Sequence, residues 1–174
     1  MTGEEFVAEA GRRLASADYD VEVVELVGGP AVIGRRGDRV WFAQYPIRLR
    51  TTVYVAAVED VDVEQYRRFI VDSFAMAKQA LGRWPRGLNS AVASVPVLVS
   101  EHVFPAVRET AIQRPYREWG VGISAPAVVD LGRRRVYMYE GSNVLERIAR
   151  RSARAQLSLV LDVLDHSSAL GAAR

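Results

Sequence analysis

Apolar residues crowd most densely at 91–103, AVASVPVLVSEHV. Valine dominates this run, and apolar and polar positions do not alternate along it. Such a segment predicts a β-strand covered on both faces, the buried centre of a sheet.

Upstream, Thr2 and Glu5 have the spacing of a capping box, and Phe6, Val7, Ala10, Leu14 and Ala17 recur on one helical face. These positions predict a helix over 3–17. Val21, Val23 and Leu26 then alternate imperfectly with Glu22 and Glu25, a strand over 21–27 closed by Gly28-Gly29-Pro30. A short strand at 31–35 leads to a hairpin turn at Arg36-Gly37-Asp38 and a returning strand at 40–49, which Pro46 interrupts. TTVYVAAV at 51–58 is a further strand, rich in β-branched and aromatic residues. The stretch 21–58 therefore reads as an antiparallel meander with short connections.

A second helix follows. Asp60 or Asp62 can cap it, and Asp62 and Gln65 again have capping-box spacing. Tyr66, Phe69, Ile70, Phe74, Ala77 and Leu81 form a wide apolar stripe that packs on the sheet, and Gly82 ends the helix. A loop at 83–90 returns the chain to the central strand. Strand, helix and strand in one sheet predict a parallel pairing of 51–58 with 92–99. Pro105 starts a short helix over 105–113. A loop at 114–120 precedes a hairpin of 127–131 with 136–139. A last helix begins near Ser142 or Asn143. The fold class is thus α/β (α+β): a mixed sheet with an antiparallel meander, a buried central strand and flanking helices. Residues 1–141 form a single domain, and 142–174 a helix packed on it or used in association. No internal repeat is evident.

This order of helix, antiparallel meander, helix and buried strand resembles the PD-(D/E)xK restriction-endonuclease-like fold over 3–140. The resemblance implies an Asp on one meander strand and a (D/E)-x-K on the next, together holding a metal and positioning water. The residues depart from that pattern. The chain's one lysine, Lys78, falls in the second helix. The acid in the hairpin is Asp38, followed by Gln44-Tyr45-Pro46 with proline where lysine belongs. Arginine at 48 or 50 is a poor proton-transfer group. The resemblance therefore implies a nuclease-like scaffold without the nuclease.

Composition narrows the choices. With 49% hydrophobic residues, the 174-residue chain can build a core. No apolar run reaches the ~18 residues that span a bilayer. The beginning MTGEEFVAEAGRRL is unlike a secretory signal, so a cytoplasmic location and no membrane partner are expected. Cysteine is absent, which removes disulfides, thiolate nucleophiles and cysteine metal sites. Two histidines cannot make a histidine-rich metal centre. No Walker A, G-x-G-x-x-G or G-x-S-x-G motif occurs, and no cofactor is expected.

Two constellations remain. Ser100, Glu101 and His102 end the central strand, and Asp130 ends AVVD. Ligands in open α/β sheets sit beyond the carboxyl ends of strands. If the two strands are adjacent, Glu101, His102 and Asp130 could serve as a general base or a weak metal site. The competing reading is solvated residues at a strand end and an aspartate capping a turn. The second constellation is basic. Arg133, Arg134 and Arg135 precede Arg147, Arg150, Arg151 and Arg154, whose spacing puts those four on one helical face. That face could track phosphates or dock an acidic partner, or simply be a solvated surface. Trp84 and Trp119 fall in loops, where they could stack a base, anchor a partner or cover the core edge.

With a formal net charge of only +2, overall charge does not decide for nucleic acid. The expectation is a non-catalytic module that binds a protein partner or self-associates. Nucleic-acid binding through the arginine helix is the first alternative. A metal-dependent hydrolase using Glu101, His102 and Asp130 is the second.

Overall fold

The computed structural model describes residues 1–42, 45–79, 90–113, 117–118 and 122–139. The helix expected from 142 onward lies outside them, as do Trp84 and Trp119. The helices are α1 (Gly3–Ser16), α2 (Val63–Gln79) and α3 (Pro105–Ala111). The strands are β1 (Asp20–Leu26), β2 (Gly29–Phe42), β3 (Tyr45–Ala57), β4 (Asp60–Val61), β5 (Ser90–Ser100), β6 (His102–Val103), β7 (Arg117–Glu118), β8 (Gly122–Ser124), β9 (Ala127–Asp130) and β10 (Arg135–Met138). Among the described residues, eight strands form one mixed sheet in the order β1-β2-β3-β5-β8-β7. β9 continues past β8 along the same side of β5, with β10 outside it. β4 and β6 form a separate parallel ladder.

The central strand is as its composition requires. Val95, Val97 and Val99 of β5 point to one core, beneath Phe6, Val7 and Leu14 of α1. Leu98 points to the other, beneath Tyr66 and Phe69 of α2 and Val107 of α3. β5 runs parallel to β3, with Thr51 beside Ala93 and Ala57 beside Val99. The expected caps are present. Glu5 N–H donates to the Thr2 hydroxyl at 3.2 Å, and Thr2 N–H to the Glu5 carboxylate at 2.8 Å. Gln65 N–H donates to Asp62 at 2.7 Å.

The meander differs from expectation in its turns. Val27 and Gly28 carry the first turn, at φ 55° and 79°, and Gly29 already belongs to β2. A Cβ at Gly29 would lie 2.1 Å from the Ala57 carbonyl oxygen, so backbone packing excludes any side chain there. Arg36-Gly37-Asp38 makes no turn. β2 passes straight through it to Phe42 and pairs continuously with β3, Trp41 opposite Pro46 and Phe42 opposite Tyr45. Residues two apart in a strand share a face. Arg36 and Asp38 therefore meet, Nε to Oδ2 at 3.1 Å, and Arg36 also donates to the Ala17 carbonyl at the end of α1. These contacts hold the extended backbone where the Gly-Asp pair alone reads as a bend. Pro46 lies before the point where β5 joins β3, so there its missing N–H interrupts no pairing with β5. The expected loop at 114–120 contains a short strand as well, since Glu118 pairs with Gly122. No helix among the described residues is long and apolar enough to cross a membrane.

Candidate functional site

β5 and β9 are adjacent and parallel, so their last residues, Ser100 and Asp130, are side by side. Both are buried. The Ser100 hydroxyl lies 2.8 Å from the Glu59 carbonyl and 3.0 Å from that of His102, and accepts the His102 N–H at 3.1 Å. It ties the exit of β3 to the turn out of β5. Asp130 is committed too. Its Oδ1 accepts the Arg133 N–H at 2.9 Å, closing the turn after β9. Its Oδ2 faces Arg108 of α3 at 3.5 Å and Arg133 at 3.8 Å, without a hydrogen bond. Arg108 also donates to the Val103 carbonyl and lies over the Tyr137 ring, 5.6 Å from its centroid.

Glu101 and His102, by contrast, are exposed. The strand adjacency expected for Asp130 is present, but its carboxylate turns toward Arg108 and Arg133. Among the described residues no three His, Asp or Glu side chains gather so as to hold a metal. α2 and α3 also pack on one face of the sheet, so the described strands β3, β5 and β9 enclose no switch point of the kind that opens ligand crevices. What this arrangement does chemically is clamp: a carboxylate fastens a turn and stands between two guanidiniums.

The second region is one that sequence spacing did not single out. β1 accompanies β2 as far as Arg35, and β5 accompanies β3 from Arg48 onward. Beyond those points β2 and β3 continue as a two-stranded arm, with Arg39 within it and Arg48 and Arg50 at its base, beside Ser90 and Val92 of β5. Between positions 35 and 50 the chain carries Arg35, Arg36, Arg39, Arg48 and Arg50 against a single acid, Asp38. Strand alternation sorts them. Ile33 and Tyr54, opposite one another, face α2. Arg35, Gly37 and Arg39 follow on that face of β2, and Thr52, Arg50 and Arg48 on that face of β3. Arg35 is paired with Glu22 at 2.8 Å. Arg39, Arg48 and Arg50 are exposed, with Arg39 directly opposite Arg48 and Arg50 opposite Gly37.

Asp38 and Arg36 occupy the other face of the arm, beside α1. The Arg36 guanidinium sits 4.6 Å from the Tyr19 ring centroid. Burial pushes the Tyr19 phenol up to about 12, with Arg36 opposing and Asp38 adding to the shift. Leu49 stands opposite Asp38. The hairpin acid is thus engaged by an arginine and faced by an apolar residue.

Of the expected basic constellation, Arg133 holds Asp130, Arg134 occupies the turn at φ 52°, and Arg135 opens β10. Arg147, Arg150, Arg151 and Arg154 lie outside the described residues. The arm's arginines carried one signal in sequence, the i, i+2 spacing of Arg48 and Arg50. Their juxtaposition with Arg39 depends on β2 running unbroken through 36–38, which brings Arg39 opposite Arg48. No family model, curated protein or solved structure matches this chain.

Proposed function

We propose that the protein is a non-catalytic binding or assembly module on a nuclease-like scaffold, and that it recognises an anionic partner through the arginine face at the base of the β2–β3 arm. The observation carrying this is the exposure of Arg39, Arg48 and Arg50 on one face while Asp38 turns to the other. Arginine presents several donors in a planar fork suited to phosphate or carboxylate. The sequence of helix, meander, helix and parallel strand supports the scaffold. The commitment of Ser100, Asp130 and Asp38 to internal contacts supports binding over hydrolysis.

Retention on immobilised heparin tests the anionic partner. The wild type is expected to need more salt for elution than the Arg39→Gln/Arg48→Gln/Arg50→Gln variant. Co-elution of the two overturns the assignment to the arm. A loss confined to the variant with glutamine at 147, 150, 151 and 154 does so too, and moves binding to the C-terminal run. The absence of catalysis is tested by incubating the protein with plasmid and single-stranded DNA, with and without magnesium. Cleavage that disappears in Asp38→Asn or Glu101→Gln overturns that part.

A further inference from the structure

We infer that β1 is the pairing edge for a second copy of this chain, the two β1 strands joining antiparallel about a two-fold axis at Val23. The inference does not rest on the arginine face. Three observations carry it. The first is an open edge. Among the described residues β1 pairs with β2 alone, in unbroken register from Asp20 to Leu26, so its other side presents free N–H and C=O groups. The strand is seven residues long and contains no proline, glycine, lysine or bulge of the kind that keeps edges from pairing. The second is Val23. It is 82% exposed, although Val32 directly across from it is buried beneath α1. The edge thus leaves a strand-favouring apolar side chain uncovered, and at a two-fold axis that side chain covers its own copy.

The third is the placement of charge. A two-fold interface sets one surface against itself, so β1 must suit its own sequence. With the axis at Val23, Asp20 stands opposite Leu26 of the copy, Val21 opposite Glu25, and Glu22 opposite Val24. Each carboxylate meets an apolar residue and none meets another. An axis at Glu22 would set two carboxylates face to face, and an axis at Val24 would pair only Glu22–Leu26. Glu22, the acid nearest the axis, is held by Arg35 of its own copy at 2.8 Å, which offsets the diagonal approach of the two Glu22 side chains. One such ladder is small against the ~800 Å² per partner of a standard interface, so the dimer is weak and depends on concentration. An axis perpendicular to the sheet keeps like faces together, and the joined sheet carries both arginine faces on one side.

The chain has no cysteine, so a single introduced thiol reports the register. Under mild oxidation Val23→Cys is expected to form an interchain disulfide, because Cα atoms facing each other at the axis are about 4.5–5.5 Å apart. Glu25→Cys is expected not to, its two copies lying about 14 Å apart along the strands. Sedimentation velocity of the full chain is expected to show a mass rising from monomer at about 1 μM toward dimer at about 1 mM. Val23→Lys sets two ammonium groups against each other and is expected to stay monomeric throughout, with the circular dichroism of the wild type. A wild type that remains monomeric at about 1 mM, its edge being reserved for a strand of another protein, overturns the inference. A dimer that survives in Val23→Lys overturns it as well, since another surface then joins the copies. Equal cross-linking of Val23→Cys and Glu25→Cys overturns the axis. If Val23→Lys does not fold, the two cysteine variants decide: cross-linking confined to position 23 supports the dimer, and cross-linking at neither overturns it.

Discussion

Arg39 and Arg48 stand directly opposite one another across the β2–β3 ladder, both exposed and both on the face that carries Ile33 and Tyr54. Two exposed guanidiniums so placed concentrate positive charge on one face of the sheet, and their planar donor forks suit a phosphate or carboxylate.

Asp130 is expected to matter for stability and Glu101 and His102 to matter little. Asp130→Ala leaves Arg108 partly buried without its counter-ion and unfastens the turn at Arg133. A loss of about 3 kcal/mol is expected, against less than about 0.5 for Glu101→Ala or His102→Ala. Urea denaturation of the three variants measures this. Equal losses would contradict the description of Asp130 as a clamp.

Val97→Asp is expected to cost more than about 4 kcal/mol, since it places an unpaired charge in the core beneath α1. Val23→Asp is the control. Val23 sits on edge strand β1 at 82% exposure, and its replacement is expected to cost about 0.5 kcal/mol or less. Thermal unfolding compares the pair.

Alkaline pH is expected to unfold the protein through its buried tyrosines. Burial pushes the phenols of Tyr19 and Tyr54 up to about 12, from 10.0, and raises that of Tyr66 further. Between pH 10 and 12 the unfolded chain releases these protons and the folded chain keeps them. Stability is therefore full below pH 10 and falls as pH rises through the folded values. Tyrosinate absorbance is expected to show these phenols ionising together with loss of the circular dichroism signal. Tyr66→Phe removes a buried hydroxyl that has no hydrogen-bond partner and is expected to stabilise by about 1 kcal/mol. Ionisation of all tyrosines at pH 10 with the fold intact would contradict the burial described.

What the sequence disclosed follows from how local its signals are. The apolar run of β5, the capping boxes at Thr2 and Asp62, and the stripe of α2 each depend on residues near one another in the chain. They were legible, and with them the mixed sheet and the parallel placement of β3 and β5. The turn at Arg36-Gly37-Asp38 was misread because the evidence against it is tertiary. Arg36 reaches back to the end of α1 at Ala17, which no local pattern displays. That misreading hid the arm, since only an unbroken β2 brings Arg39 opposite Arg48. Asp130 lies beside the end of the central strand, the adjacency that the sequence left as a condition. Its engagement by Arg108 was not legible, because α3 carries that arginine from a separate segment with no motif linking the two.

The most direct test of the account is to measure stability and heparin retention together in Arg39→Gln. Loss of one exposed guanidinium is expected to lower the salt needed for elution and to change stability by less than about 0.5 kcal/mol. A variant that melts well below wild type while eluting at the same salt would contradict the account, because Arg39 would then serve the fold and not a partner.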